Sequence, residues 1–183
     1  MLFTPDTVDT LEFAIALANT VARASRSGTD ELGEPAQLTA LLTEHRYSGR
    51  FDRDEAELAE VRLTRDEFRR IWLIDRDRMA EEVNTLLHAA GALPQLARHD
   101  GLDWHLHATP ADAPLAERMR VEVALALSDV IRADATSRLR ACAAYDCEGI
   151  LADLSRNGSK RFCSVRCGNR MNMVAYRERQ GED

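Results

Sequence analysis

The feature that most constrains the fold is the spacing of the four cysteines, all of which lie in the last quarter of a 183-residue chain. Cys142 and Cys147 form one pair, fifteen residues follow, and Cys163 and Cys167 form the second pair. Two cysteine pairs with a spacer long enough for a hairpin are typical of one tetrahedral Zn²⁺ held by four thiolates. Such a site has no open coordination position, so we expect the metal to stabilise the fold rather than to catalyse a reaction.

Other uses of these cysteines remain open. Two disulfides would require an oxidising compartment. A redox Cys-x-x-Cys motif has two intervening residues, whereas these pairs have four and three. Iron–sulfur clusters usually take three closely spaced cysteines and one distant cysteine. Zinc is therefore the interpretation that the spacing favours over an iron–sulfur cluster or free thiols.

The residues between the two pairs predict a small treble-clef-like module. Residues 150–154 predict one short strand and residues 160–163 its partner. The segment between them contains Asn157-Gly158, which suits a turn with positive φ. A module this small has too little core to fold alone, so we expect metal binding to contribute on the order of 10 kcal/mol to its folding.

The end of this module predicts a helix with a metal face and a basic face. Ser164 is a suitable N-cap for a proline-free helix over residues 166–180. Cys163 and Cys167, four positions apart, would lie on one side of its first turn. The opposite face carries guanidinium and amide groups and no acid: Arg166, Asn169, Arg170, Met173, Arg177 and Gln180. Such side chains suit contacts with phosphates and base edges in the major groove, and a solvated charged face is the alternative.

One stretch of the chain resembles the CGNR zinc-finger family. The run Cys167-Gly168-Asn169-Arg170 follows a cysteine pair, and Asp153, Ser155, Arg156 and Arg161-Phe162-Cys163-Ser164 precede it. The resemblance is specific over residues 138–179. Further upstream it extends to Ala18-Asn19-Thr20-Val21, which is similar to the family's early Asn-Thr helix. Members are bacterial proteins with an N-terminal helical domain called ABATE, regarded as stress-related transcription regulators.

The resemblance implies specific roles for residues of this chain. It implies that Cys142, Cys147, Cys163 and Cys167 are the zinc ligands and that Gly168, Asn169 and Arg170 face DNA. Many members have four residues between the last two cysteines, where this chain has three, a spacing that still suits an i, i+4 pair on a helix. With the basic residues nearby, the candidate DNA contacts are Arg161, Arg166, Asn169, Arg170 and Arg177.

Charge is distributed unequally along the chain, whose formal net charge is −7. Residues 1–137 hold 15 basic and 25 acidic side chains, whereas residues 138–183 hold 9 basic and 6 acidic ones. This asymmetry predicts a boundary near residue 137, and the resemblance implies that residues 1–137 form a helical ABATE-like domain for sensing or dimerisation and residues 138–183 a zinc finger. The acidic domain would repel DNA and so orient the basic finger toward it.

Nothing in the composition predicts a membrane protein or an exported one. No run approaches 18 apolar residues. The apolar stretch at 11–18 is interrupted by Glu12 and preceded by Asp6 and Asp9 rather than by basic residues, so it predicts a buried helix and not a signal peptide. We expect a cytoplasmic protein, in agreement with reduced, metal-binding thiols.

The apolar periodicity of the first domain predicts a series of amphipathic helices. Their expected ranges are 7–25, 36–47, 54–62, 64–87 and 115–139. A capping box formed by Thr64 and Glu67 marks the start of the fourth. We expect the last helix to lead directly into Cys142, so that any shift of that helix would be transmitted to the finger.

One stretch of the first domain predicts a β-hairpin instead. Residues 96–99 and 102–108 alternate around Asp100-Gly101, a turn signal. His105 and His107 would project from one face of a strand. Because no third ligand is visible nearby, we expect exposed histidines rather than a metal site or an effector contact.

Motifs of common enzymes are missing from the sequence. It contains no Gly-rich phosphate loop, no Gly-x-Ser-x-Gly and no His-Glu-x-x-His, so we expect no enzymatic activity. The prediction is a mainly α protein that acts as a zinc-dependent regulator, with double-stranded DNA as partner and with a homodimer or a small-molecule effector as further possibilities. The alternatives are a protein-interaction adaptor and a small-molecule-binding helical protein whose zinc is purely structural.

Overall fold

Helices predominate in the computed structural model, which describes residues 3–98 and 103–181. The helices are α1 (Pro5–Ala18), α2 (Pro35–Glu44), α3 (Glu55–Ile71), α4 (Arg76–Ala89), α5 (Leu115–Arg132) and α6 (Val165–Gln180). Two antiparallel pairs accompany them: β1 (Gln95–Ala97) with β2 (His105–His107), and β3 (Leu139–Ala141) with β4 (Ile150–Ala152). None of the described helices combines the length and the hydrophobicity needed to cross a lipid bilayer.

Helix α5 lies at the centre of the helical body, by which we mean helices α1 to α5 with the loops and the small hairpin that connect them. Ten of its 18 residues are buried, including the charged Arg118. It packs against α1, α3 and α4. These helices contribute Leu11, Leu17, Phe68 and Met79 to one hydrophobic core around Met119 of α5. The predicted mainly α fold with a small hairpin and a C-terminal four-cysteine finger is confirmed.

The predicted helix start at Thr64 is wrong, because Thr64 lies in the middle of α3. Asp54 caps this helix, and its carboxylate accepts the backbone N–H of Glu57 at 2.8 Å. Thr64 is fully buried and donates its hydroxyl to the carbonyl oxygen of Glu60, one turn earlier, at 2.9 Å. Helix α3 ends later, at Ile71, and Asp75 caps the next helix, α4. The Thr64 hydroxyl is hydrogen-bonded within α3, so Thr64 does not cap the start of a helix.

The helix predicted over residues 115–139 is wrong beyond Arg132, where α5 ends. Asp134 adopts the left-handed conformation with a φ of 52°, and the amides of Asp134 and Ala135 bond back to carbonyls of the last turn. This pattern is a Schellman-type helix end. Glycine usually occupies the left-handed position, so an aspartate there gives no clear stop signal. A 3₁₀ turn (Thr136–Arg138) and strand β3 then lead to Cys142. The last helix of the body therefore does not run directly into the first cysteine, contrary to the sequence-based prediction.

Strand β4 pairs with β3 and not with residues 160–163, so the predicted strand pairing in the finger is wrong. In the observed register Arg140 lies opposite Leu151. All three residues of β4 are buried, and Ile150 and Ala152 belong to the core of the helical body. Burial against the body therefore decides which partner this strand takes.

Polar contacts around β4 join the finger to the helical body. Asn19, directly after α1, pairs with both backbone groups of Ile150: its Nδ2 donates to the carbonyl at 2.9 Å and its Oδ1 accepts the N–H at 2.8 Å. Trp72 Nε1 donates to the carbonyl oxygen of Leu151 at 2.9 Å. Side chains of the body thus replace a missing strand neighbour, and the finger is held in one position relative to α1 and α3.

The hairpin of the body differs in one respect from the expectation. His105 and His107 project from the same face of β2, with their Nε2 atoms 3.0 Å apart, but His105 is buried. The prediction of exposed histidines is wrong for His105 because this face turns toward α5, whose Glu122 carboxylate lies 3.8 Å from His107 Nδ1. The predicted turn at Asp100-Gly101 lies outside the described residues.

Candidate metal centre

The four cysteine sulfurs form one cluster, with all Sγ atoms within 4.8 Å of one another. Cys147 Sγ lies 3.6 Å from Cys163 Sγ, which lies 3.7 Å from Cys167 Sγ. Four thiolates around one zinc ion, with Zn–S bonds of about 2.3 Å, place neighbouring sulfurs about 3.8 Å apart. A disulfide would need about 2.05 Å. The sulfur positions fit a tetrahedral metal site and not two disulfides.

Three structural elements position these sulfurs. Cys142 follows strand β3, and Cys147 lies in the turn before β4, where its N–H bonds to the carbonyl of Ala144 at 3.1 Å. Cys163 directly precedes Ser164, the N-cap of α6, whose hydroxyl accepts the N–H of Cys167 at 3.2 Å. The predicted N-cap and the predicted placement of the last two cysteines at the start of a helix are confirmed.

Gly149 is a functional position that the sequence reasoning missed. A Cβ atom on this residue would lie 2.8 Å from Cys163 Sγ and 3.2 Å from Cys147 Sγ, too close for any side chain. Its N–H donates to Cys147 Sγ at 3.3 Å, and the N–H of Cys163 donates to Cys142 Sγ at 3.4 Å. Hydrogen bonds of this kind stabilise thiolates. The signal available in the sequence was a glycine two residues after a candidate ligand.

The electrostatics of the cluster also fit a bound cation. Burial, together with the neighbouring sulfurs, strongly raises the pKa of Cys163, and burial raises the pKa of Cys147. Burial acts in the same direction on Cys167, but hydrogen bonds from Ser164 and the other cysteines outweigh it and lower its pKa to about 7. Sulfurs this close therefore resist ionising together, and a divalent metal ion provides the positive charge that allows them to do so.

Arg170 lies against the metal cluster. Its Nη2 donates to Asp146 Oδ1 at 2.7 Å and to Cys167 Sγ at 3.6 Å. The hydrogen bond with Asp146 is the main cause of the raised pKa of Arg170. A zinc ion with four thiolates carries a net negative charge, so a guanidinium beside one sulfur stabilises the loaded site. The sequence did not reveal this contact because Asp146 lies 24 positions away.

The other candidate DNA contacts lie on or beside α6. Cys167 is the only buried residue of this helix. Asn169 and Arg177 are exposed along the helix. Arg166 is exposed, and its guanidinium also donates to the backbone carbonyl of Arg26. Arg161 is exposed and lies over the ring of Phe162, with 5.6 Å from its Cζ to the ring centroid. The structure brings Arg161, Arg166 and Arg170 around one groove, and Arg177 lies further along α6.

Asp153 organises the loop between β4 and the second cysteine pair. It is fully buried, and its carboxylate accepts hydrogen bonds from the N–H and hydroxyl of Ser155 and, at 2.7 Å, from the N–H of Lys160. Arg140 Nη1 lies 3.6 Å from it. Burial acts to raise the pKa of Asp153, but these hydrogen bonds and the Arg140 charge together hold it below its usual value. The ionised carboxylate therefore fixes the shape of this loop.

A helical body that holds a four-cysteine finger with an exposed basic helix defines a zinc-finger protein of the mainly α class. The sequence model of the ABATE family, described as "putative stress-induced transcription regulator", matches residues 11–141, and that of the CGNR zinc finger matches residues 138–180. The chain therefore belongs to the ABATE family and carries a CGNR zinc finger, as the resemblance implied. The finger and its clustered cysteines are consistent with a structural zinc ion. No curated protein sequence matches the chain.

Proposed function

We propose that this protein is a zinc-dependent transcription regulator whose helix α6 contacts double-stranded DNA. The family description supports regulation of transcription rather than catalysis. The exposure of α6 carries the proposal. Only one of its 16 residues is buried, so the helix contributes little to the protein's own core and its surface is available to a partner. Four thiolate ligands also require reducing surroundings, so the proposal includes a cytoplasmic location.

The side chains exposed on α6 suit nucleic acid. Arg166, Asn169, Met173 and Arg177 follow one another at helical spacing, so they share a face. Arginine and asparagine make the bidentate contacts with guanine and adenine that specify sequence in the major groove. The one acid of α6, Glu178, lies on the cysteine side of the helix. A duplex approaching the exposed face would therefore meet positive charge and amide groups.

The position of the cysteine cluster at the start of α6 supports zinc dependence. Cys167 lies in the first turn, and its N–H is bound by the helix cap. Apolar packing holds the rest of the helix weakly, since only Met171 of its later residues packs against the cysteine cluster, and two arginines, Arg166 and Arg170, add polar contacts near its start. Removing the metal would leave a short, exposed helix that is unstable by itself. We therefore expect DNA binding to be lost with the metal.

A DNA selection combined with two α6 variants tests this function. Sequences bound by the zinc-loaded protein are selected from random duplexes, and binding of the best site is measured by fluorescence anisotropy. N169A and R177A should each weaken binding, N169A by about 10-fold or more if it reads a base. The control is R78A, an exposed arginine on α4. Absence of salt-sensitive binding by the zinc-loaded protein, or equal effects of R177A and R78A, would contradict the proposal.

A specific observation favours a second candidate, a protein-interaction adaptor. Three large apolar residues of α6 are exposed: Val165 by 79%, Met173 by 53% and Tyr176 by 51%. Apolar groups grouped on one exposed helix face are typical of protein interfaces. If partner capture depends on Tyr176 and survives both R177A and nuclease treatment, the adaptor function is supported instead. A homodimer through this face would appear in sedimentation experiments as a dimer that Y176A dissociates.

The third alternative is a small-molecule-binding body with a purely structural zinc. It would be favoured by finger arginines that turn onto carboxylates and by an enclosed apolar pocket, and the structure shows the first of these two features. Arg170 does turn onto a carboxylate of the finger. The other feature is an enclosed apolar pocket among the helices. Of the clefts identified in the described residues, one of about 970 Å³ lies at the finger and one of about 350 Å³ lies between α3 and α4 beside Arg70 and Glu82; both open to solvent. An effector site in the body remains a prediction.

A further inference from the structure

A basic groove of about 970 Å³ separates the finger from the loop that follows α1. Residues 22–28 form one wall, and the other is formed by residues 159–163 and the start of α6. Six basic side chains line it: Arg23, Arg26, Lys160, Arg161, Arg166 and Arg170, together with one acid, Asp146, and three of the four cysteines, Cys147, Cys163 and Cys167, at its floor beside the metal cluster. We propose that this groove binds the sugar–phosphate backbone of DNA, and that the helical body, through Arg23 and Arg26, contributes directly to the DNA interface. This inference rests on the DNA-binding function proposed above.

The loop and the finger are joined by three contacts, so the groove is already formed in the free protein. The N–H of Glu148 donates to the carbonyl of Arg23 at 3.1 Å, and Arg23 Nη1 pairs with Glu148 Oε1 at 3.0 Å. The guanidinium of Arg166 crosses to the backbone carbonyl of Arg26. Because both walls are fixed to each other, binding a ligand between them requires little reorganisation.

Hydrogen bonds within the loop also hold its shape. Ser25 Oγ donates to the carbonyl of Thr29 at 2.7 Å and accepts the N–H of Gly28 at 3.1 Å. Gly28 has a φ of 79°, which other residues rarely adopt. The loop therefore presents the Arg23 and Arg26 side chains from a defined turn.

The charge of this loop is opposite to that of the rest of the body. Residues 1–137 have an excess of ten acids, yet residues 22–28 contain two arginines and no acid. Arg23 is partly neutralised by Glu148, whereas Arg26 is exposed and forms no ion pair with any residue in the described ranges. The sequence-based expectation that the whole body repels DNA overlooks this local reversal. An acidic body with one basic loop would both orient the duplex and hold it.

The shape of the groove favours a nucleic-acid backbone over a small anion. The groove is open to solvent and much larger than one phosphate group, and its basic residues come from both walls. It also continues onto the exposed side of α6, because Asn169 and Asn172 lie along its edge. A strand whose phosphates occupy the groove would bring neighbouring bases toward α6. Backbone contacts of this kind position a protein on DNA without reading sequence.

The decisive variant is R26A, measured by anisotropy on the selected duplex and on an unrelated duplex across a range of salt concentrations. The backbone carbonyl that Arg166 binds is retained in R26A, and a melting curve checks that the fold is intact. We expect binding to fall by about 5- to 10-fold on both duplexes, and the slope of log K against log salt to fall by about one. R26K should restore most of the affinity, whereas R132A, which changes an exposed arginine outside the groove, should have no effect.

The outcomes separate this inference from the function on which it rests. If the wild-type protein binds no DNA, the proposed function fails. If R177A weakens binding but R26A behaves like R132A, the function stands and the groove inference is overturned. Titration with inorganic phosphate and with tripolyphosphate provides a further test. Binding of these anions that R26A abolishes, with duplex affinity unchanged, would identify a small-anion site and would also overturn the inference.

Discussion

The helical body and the zinc finger are stabilised by different means, although the chain passes between them without a flexible linker. The body has a large hydrophobic core centred on α5, whereas the finger's own buried cluster consists of Cys142, Ala144 and Cys167 with a few half-buried neighbours. Burial of apolar surface can fold the first but not the second. We therefore expect the finger to depend on metal binding, which would leave α6 free to face a partner.

The two regions are nevertheless not independent. Strand β4 belongs to the finger by its position between the cysteine pairs, yet Ile150 and Ala152 complete the core of the body, and Asn19 and Trp72 bind its backbone. Part of the finger is therefore stabilised by hydrophobic burial. The boundary predicted between residues 137 and 138 lies before β3, so it would assign β4 and the helices that bury it to different domains. Perturbing the metal site, the junction and the finger loop in turn tests whether the body and the finger are stabilised by different means.

Metal removal should have the largest effect and should act unequally on the two regions. Chelation or C163S is expected to remove most of the finger's stability, on the order of 10 kcal/mol for a structural zinc site. The body should keep its helices but melt at a lower temperature, because β4 loses its anchor on the finger side. Circular dichroism with hydrogen exchange measures both. If α6 amides stay protected without metal, the finger does not depend on zinc.

Changing Asn19 should have an intermediate effect, because this residue joins the two regions. N19A leaves the N–H and carbonyl of Ile150 without their partners in a buried strand, which should cost about 1–3 kcal/mol in the free energy of unfolding. Urea denaturation measures this loss. N84A, an exposed asparagine on α4, is the matched control. A similar small effect of both variants would mean that the junction contributes little.

The Asp153 loop should give the smallest effect and a characteristic pH dependence. The pKa of Asp153 is lowered in the folded protein, so the carboxylate stabilises the fold above the usual carboxyl range, and this stability is lost as the pH falls through the folded pKa. D153N should therefore be less stable than the wild type at pH 7, and the difference should shrink below about pH 5. Denaturation midpoints of D153N and of the exposed control D77N, measured from pH 7 to pH 3, test this. A difference that does not change with pH would contradict the assigned ionisation.

With the exceptions of the helix start at Thr64 and the end of α5, features set by short-range spacing were predicted from the sequence, whereas features set by distant neighbours were not. The cysteine pairs, the Ser164 cap and the start of α6 depend on residues within one or two helical turns. The partner of β4 depends on burial against α1 and α3. The contact of Arg170 with Asp146 joins helix α6 to the turn between β3 and β4. The end of α5 was missed because Asp134 takes a conformation in which glycine is expected. Burial of His105 likewise follows from packing that its strand pattern does not encode.

The most direct test of the account compares zinc content and DNA affinity in the same preparations of wild-type protein and C163S. We predict one zinc per wild-type chain, with duplex binding that weakens as salt increases. C163S should retain no stoichiometric zinc, keep the helices of its body and lose duplex binding. Wild-type protein without zinc that still binds duplex DNA with unchanged affinity would contradict the claim that a metal-held α6 forms the DNA interface.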